Sequence, residues 1–396
     1  MKTKDSCAIV LCTVLLLGTA TSAAAGFKVI HTFRDKPAGG PCSTLIADSV
    51  GNFYGTACSG SGRGVGAVYE LSPLSGGNWA YRVLHVFTGA DGNTPQGKLL
   101  LDSAGNLYGT TYQGGSNNSG VVYELSPTSG GQWSTKTLYN FGGDSGGLCL
   151  GGLAEDAQGN LYGGTWRGGT YDEGVVFKLT PGSNGQWAYT TLYTFTIAGP
   201  QTGLVFDAAG NLYGGGEFGI FVLTPNSGGG WTESTAYTFT KADGDNPFGD
   251  LVFDAAGNLY STNQAGGVNG GGTALKLTPS SGGTWTSTVM ASFPSNSQDG
   301  ISPFAGLSFD SAGNVYGTTI SGGSFQRGVV FKLTPGAEGT WTESVVKSLT
   351  GGRNGSGPDA GVIVDNANNI FGTASSGGLQ SCLNGAGCGI VFKIIP

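Results

Sequence analysis

The chain carries little charge and almost no imidazole. Only 11% of its 396 residues are Asp, Glu, Lys or Arg, and His31 and His85 are the only histidines. So few imidazoles argue against a multi-histidine metal centre and against a Ser-His-Asp triad. Low charge together with 76 Gly and 11% aromatic residues argues against a helical protein. Past residue 25 no apolar run reads as a membrane helix. The formal net charge of −7 disfavours nucleic acid and anionic membrane as partners.

What is present begins with a leader. Lys2 and Lys4 precede an apolar run from Ala8 to Leu17 and a small-residue segment, TATSAAAG, with Ala23 and Ala25 placed for cleavage before Gly26. That is the layout of a secretory signal peptide, too short to anchor in a bilayer. Cys12 lies inside the apolar run, which argues against a lipoprotein. Residues 1–25 are thus expected to be a signal peptide and residues 26–396 a secreted, soluble protein. Removing two Lys and one Asp moves the charge from −7 to −8.

The rest is written around one phrase. Asp-x-x-(Gly/Asn)-Asn-apolar-aromatic starts at Asp48, Asp102, Asp156, Asp207, Asp254, Asp310 and Asp365, with steps of 54, 54, 51, 47, 56 and 55 residues. Periods near 50 point to propellers and related arrays. Each period carries four strand signals: an apolar run before the Asp, the Asn-Leu-Tyr-Gly segment after it, a Val-Val-Tyr-Glu-Leu type run closed by Ser/Thr-Pro, and a strand opened by Trp. Four short antiparallel strands make a blade, so the expected fold is all-β, a seven-bladed β-propeller. Trp79, Trp133, Trp187, Trp231, Trp285 and Trp341 recur at one position and are expected to pack between blades. The seventh period stops after its third strand, at Pro396. Phe27–Phe33 matches the register of the strand ending at Phe87, so the mature N-terminus is expected to close the last blade.

The order of these strands resembles kelch repeats. D-x-x-G-N-[LV]-Y-G, G-V-V-[YF]-[EK]-L-[ST]-P and G-G-x-W resemble more closely the GloVer, or choice-of-anchor, tandem repeat family, over nearly all of residues 26–396. The resemblance implies export and a propeller-like fold, and offers no catalytic residues to carry over. Departures are Asn368 for Gly in the last turn and Ser261 for a Gly.

Export leaves five cysteines where disulfides persist. Cys42 and Cys58 flank the first Asp turn symmetrically (42 + 58 = 48 + 52), so a hairpin pairing Asp48 with Asn52 would set them opposite each other; Cys382 and Cys388 would close the long loop of the seventh period, leaving Cys149 over.

Chemistry is sought where the repeat does not fix the residue. The repeat-initiating Asp residues are read as acceptors within their own turns, not as a ring of metal ligands. The Asp-Gly loops at Asp91, Asp243 and Asp299 are the places where calcium would bind if any does; no cofactor is expected otherwise. The sixth residue after each turn Asn reads Cys58, Tyr112, Trp166, Glu217, Gln264, Ile320 and Ser375, with no shared chemical type. From turn Asn to the closing Pro is 21 residues in five periods but 14 in the fourth, Asn211 to Pro225, which brings Glu217 and Phe218 close to the sheet beside a notch. The candidate ligand set is therefore Tyr112, Trp166, Arg167, Glu217, Phe218 and Gln264, on a monomer that holds a glycan or an extracellular protein segment. Two alternatives stay open: a glycosidase or lyase led by Glu217 with Asp172 or Glu173, and a purely structural repeat protein.

Overall fold

The structure, a computed structural model, describes residues 26–34, 39–59, 65–295, 298–379, 382 and 385–396. The expected signal peptide lies outside the described residues. Seven antiparallel sheets of four successive strand positions follow one another, making a seven-bladed β-propeller. Blade 3 is representative: Ala154–Glu155, Leu161–Gly164, Val175–Pro181 and Trp187–Thr194 pair in sequence order. In blades 1, 5 and 6 the first position is split into two short pieces, both paired with the second strand. Among the described residues no helix is long and apolar enough to cross a membrane.

The ring closes through its N-terminus. Gly26–Thr32 pairs with the last strand, Ile390–Ile395, as the fourth strand of blade 7. The register confirms the assignment. In every blade the third and fourth strands slip by one residue at the same place, at Leu138 in blade 2, Leu192 in blade 3 and Ile30 in the closing strand. An extra residue in one strand of a pair increases its twist, and here the repeat has built the same bulge into the N-terminal strand.

Apolar side chains collect between blades. Seven buried clusters fill the seven interfaces: one joins Tyr108 and Val122 of blade 2 to Leu161 and Phe177 of blade 3, another joins Phe371 and Val391 of blade 7 to Phe53 and Tyr69 of blade 1. The repeated Trp residues sit at these seams half-buried, five of the six in ring contact with an aromatic of the preceding blade and Trp341 packed against the cluster between blades 5 and 6; Trp231 meets Tyr162 at 6.0 Å and Trp187 meets Tyr108 at 6.2 Å. That is the interblade packing expected of them, with less burial than a core position.

The Asp turn is a self-sufficient unit. Asp156 Oδ1 accepts the backbone N–H groups of Gln158 and Asn160 at 3.0 and 2.9 Å, and its Oδ2 accepts Asn160 Nδ2 and Tyr162 O–H at 2.7 and 2.9 Å. Burial would raise this carboxyl, but those four donors outweigh it and hold it below the ordinary range, as at Asp48, Asp254 and Asp310. The turn Gly takes positive φ, 86° at Gly105, and Asn368, the departure in the last blade, takes 61°. Asn is among the residues that tolerate this region, so the departure keeps the geometry.

Ser261, the other departure, has a partner. A Cβ on Gly163 would stand 2.5 Å from Phe177 Cζ, because the ring of the third strand lies flat over the glycine of the second; Gly214, Gly317 and Gly372 lie under Phe221, Phe331 and Phe392 in the same way. In blade 5 the residue paired with Ser261 is Leu275. The ring has gone, and a β-carbon fits.

Candidate functional site

The first strand of each blade is only two or three residues long, and the extended segment leading into it lines the centre of the ring. A cavity of about 420 Å³ opens there. Every blade contributes to it the residue six positions before its turn Asp: Cys42, Gln96, Leu150, Gln201, Phe248, Phe304 and Asp359. Thr44, Lys98 and Asp250, four positions before the turn, add to the wall. The repeat thus places seven side chains around one space and leaves their chemistry free.

Phe248 and Phe304, from adjacent blades, stack with centroids 4.8 Å apart and planes 18° apart, both partly exposed. Asp359 follows them in blade 7. Part of its surface is open to the cavity, but its carboxyl is almost enclosed, and Oδ1 is out of reach of solvent with no hydrogen-bond partner. Burial pushes this carboxyl up to about 6, against the opposing hydrogen bond of Ser375. Gln201 Oε1 is likewise buried without a partner, whereas Asp250 Oδ1 accepts Gly203 N–H at 3.1 Å. The wall therefore offers an aromatic platform, amides, one lysine and two carboxyl groups in contrasting settings.

The phrase that repeats around this cavity decides the relationship. The chain belongs to the Gloeobacter/Verrucomicrobia repeat family. The match runs over residues 18–219 and 215–396. No protein of curated function matches the sequence. Among solved structures, virginiamycin B lyase from Staphylococcus aureus is similar with a TM-score of 0.58 at 13% identity, over 94% of this chain and 99% of the lyase. A protein from Lactobacillus plantarum is similar with a TM-score of 0.55 at 15% identity, over 81% of this chain and 86% of its own. At such identities the likeness is one of fold.

Within this member of the repeat family, the residues singled out from the sequence are dispersed. Phe218, 59% exposed, lines a separate groove of about 300 Å³ between blades 3 and 4, with Ile197, Tyr193, Phe195 and Glu233, beside the shortened loop. Glu217 is its exposed chain neighbour. Arg167 lies over the Trp166 ring at 4.6 Å, the one ring contact, hydrogen bond or ion pair among the six. Asp172 Oδ1 is occupied by Gly168 N–H at 2.8 Å. Tyr112, Trp166, Arg167, Glu217 and Gln264 line neither space. Their repeat equivalents Cys58 and Ser375 do line the central cavity, so the sixth position after the turn Asn reaches its wall in blades 1 and 7. The better signal was an equally variable column, six residues before the turn Asp, hidden in segments that read as irregular loops.

Cysteines and histidines have structural settings. Cys42 is bonded to Cys58, with Cα atoms 5.9 Å apart, and Cys382 to Cys388; Cys149 is free and buried. The register expected for the first pair needs correction. Ile46 opposes Tyr54, as the symmetric hairpin requires, but Pro41 opposes Ala57 and Cys42 N–H bonds to Thr56 O, so the bridge runs diagonally after a two-residue offset within the split first strand. His85 is held between Asp91, at 2.8 Å, and Thr135, at 3.0 Å; His31 stacks on Tyr81 at 3.9 Å, and burial, then the charge of Arg34, lowers it to about 4. Of the Asp-Gly loops, Asp91 accepts from Thr88 and His85, and Asp243 from Thr240 and Tyr237.

Proposed function

We propose that the protein is an exported binding module that holds a glycan in the central cavity. The observation that carries this reading is the Phe248–Phe304 stack in a wall otherwise built of Gln96, Gln201, Lys98, Asp250 and Asp359. Aromatic faces suit the apolar face of a sugar ring, and amides and carboxylates suit its hydroxyls. The leader-like N-terminus and the Cys42–Cys58 bridge favour an extracytoplasmic location. On this reading Trp166 and Tyr112, which share the repeat position of the lining residues Cys58 and Ser375, and Arg167 beside Trp166, meet the outlying units of a longer chain. The site uses side chains alone, without metal, and the protein acts as a monomer.

A second reading has one specific observation behind it. A hydrolase needs a carboxyl group that holds its proton to higher pH than an ordinary one, with a second carboxylate nearby, and the cavity holds Asp359, raised to about 6 by burial, together with Asp250. On this second reading the acid would be Asp359, which lines the cavity, and not Glu217, which does not.

Glycan-array binding of residues 26–396, followed by assay of product release from every glycan bound, separates the readings. Binding without release, lost in Phe304→Ala, is the expected result. Release abolished by Asp359→Asn would favour the enzyme, and binding unaffected by Phe248→Ala and Phe304→Ala together would remove the cavity from consideration.

A further inference from the structure

The cavity wall is chemically lopsided. Around the ring the residues six before the turn Asp run Phe248, Phe304, Asp359 through blades 5, 6 and 7, so the stacked rings and the enclosed carboxyl are neighbours. Asp250 adds a second carboxylate on blade 5, and among the described residues the single cation in the lining, Lys98, belongs to blade 2. Among the described residues the one ion pair is His85–Asp91, so neither cavity carboxylate has a cation within bonding distance.

Each feature of that wall favours the same guest. The face of an aromatic ring carries negative potential and attracts cations, and a carboxylate shut away from water gains most from a positive charge brought beside it. An anionic ligand would face two carboxylates against one lysine. A neutral sugar would bury Asp359 further without neutralising it. We propose that the cavity receives the ammonium group of an amino sugar, docked between Asp359 and the Phe304 edge of the stack. This rests on the glycan reading and narrows it to glycans with free amines, such as runs of glucosamine. The N-acetylated form of the same backbone has the same shape at most positions and lacks the charge.

The test measures calorimetric binding of glucosamine hexamer and N-acetylglucosamine hexamer to residues 26–396 at neutral pH and physiological salt. The free-amine hexamer should bind roughly tenfold tighter or better. Asp359→Asn, which keeps the shape and removes the charge, should reduce that preference to near one, whereas Asp144→Asn, removing the same charge from an exposed loop, should leave it intact. Equal binding of the two hexamers, or an Asp359→Asn protein that keeps the preference, overturns the ammonium docking and leaves the glycan reading standing. A preference lost equally in Asp144→Asn also overturns it, since attraction to the acidic surface would then suffice. Binding of neither hexamer overturns the inference as well; the wider glycan reading falls only if neutral and acidic glycans on the array also fail to bind.

Discussion

The protein holds its carboxylates in two opposite ways. Asp156, in a turn, has four donors and is kept ionised; Asp359, at the cavity, has an oxygen with no partner and is kept near 6 by burial. The backbone and Asn donors of the first arrangement recur in every period, the Tyr hydroxyl in five of them, and the second occurs in one blade at a position where the others carry Cys, Gln, Leu or Phe. A turn satisfied within its own blade can be copied without regard to its neighbours. A side chain facing the shared central space meets a different environment in each blade, so copying gives it no advantage, and it is there that an unsatisfied group can be kept for use.

The largest expected effect comes from the element that unites the copies. Deleting residues 26–34 removes Phe33, fully buried, and Phe27, Val29 and Ile30, partly buried, and strips the outer partner from Ile390–Ile395. At about 1.5–3 kcal/mol for each fully buried apolar side chain, the loss exceeds about 5 kcal/mol before any hydrogen bond is counted. A melting curve should show the whole ring destabilised; an unchanged midpoint would mean the closing strand is dispensable.

Next come the two kinds of carboxylate, whose removal should have opposite signs. Asp156→Ala leaves four donors unmatched and should cost about 2–4 kcal/mol at pH 7. Asp359→Asn should stabilise at the same pH by up to about 3 kcal/mol. The sign follows from linkage. With the folded carboxyl raised to about 6 from 3.8, the native state holds a proton that the unfolded chain has released, so stability falls as pH rises through that window and the full cost is present above it. Asp156, held low, behaves inversely: its stabilisation is present above the ordinary carboxylate range and is lost as pH falls through its depressed value. Urea denaturation of both variants between about pH 2 and about pH 8 checks this, with Lys98 and Asp250 the other charged groups of the cavity wall among the described residues. Equal destabilisation by both substitutions would erase the distinction.

A smaller effect tests how strictly the copies are coupled inside a blade. Gly163→Ser sets a β-carbon against Phe177 and should cost about 1–3 kcal/mol; adding Phe177→Leu recreates the Ser261 and Leu275 pair of blade 5 and should recover part of the loss. Strictly additive losses would mean blade 5 tolerates Ser261 for some other reason.

That pair also marks what could be read from the sequence and what could not. Strand order, blade count and ring closure were legible because each is stated seven times over, and even the departures at Asn368 and Ser261 obey the geometry of the positions they occupy. The Cys42–Cys58 register was misjudged by two residues because the first strand is broken, and a break between two short pieces leaves no trace in a pattern of period two. The cavity was missed for a related reason. Gln96, Gln201, Phe248, Phe304 and Asp359 lie in extended segments with too few ladder partners to read as strands, so only the ring shows that they converge. Tyr112, Trp166 and Gln264 belong to a second variable column, whose members in blades 2, 3 and 5 line neither the cavity nor the groove.

The smallest expected effect is at that second column. Trp166 is half-buried beneath the Arg167 guanidinium, and its backbone N–H reaches Leu148 O at 3.4 Å, so the indole is a cap on a loop and not part of an interblade cluster. Trp166→Ala should therefore cost little stability, less than Trp187→Ala, whose ring packs on Tyr108 of the preceding blade. If long glycans enter the cavity past this column, the same substitution should weaken binding of a hexamer by about 1 kcal/mol, a contact short of a dominant one, and leave binding of a disaccharide unchanged because the shorter ligand ends inside the wall. Titrating both lengths against the Trp166→Ala and Phe304→Ala proteins decides it: loss of disaccharide binding in Trp166→Ala would make this column, and not the Phe248–Phe304 stack, the primary site.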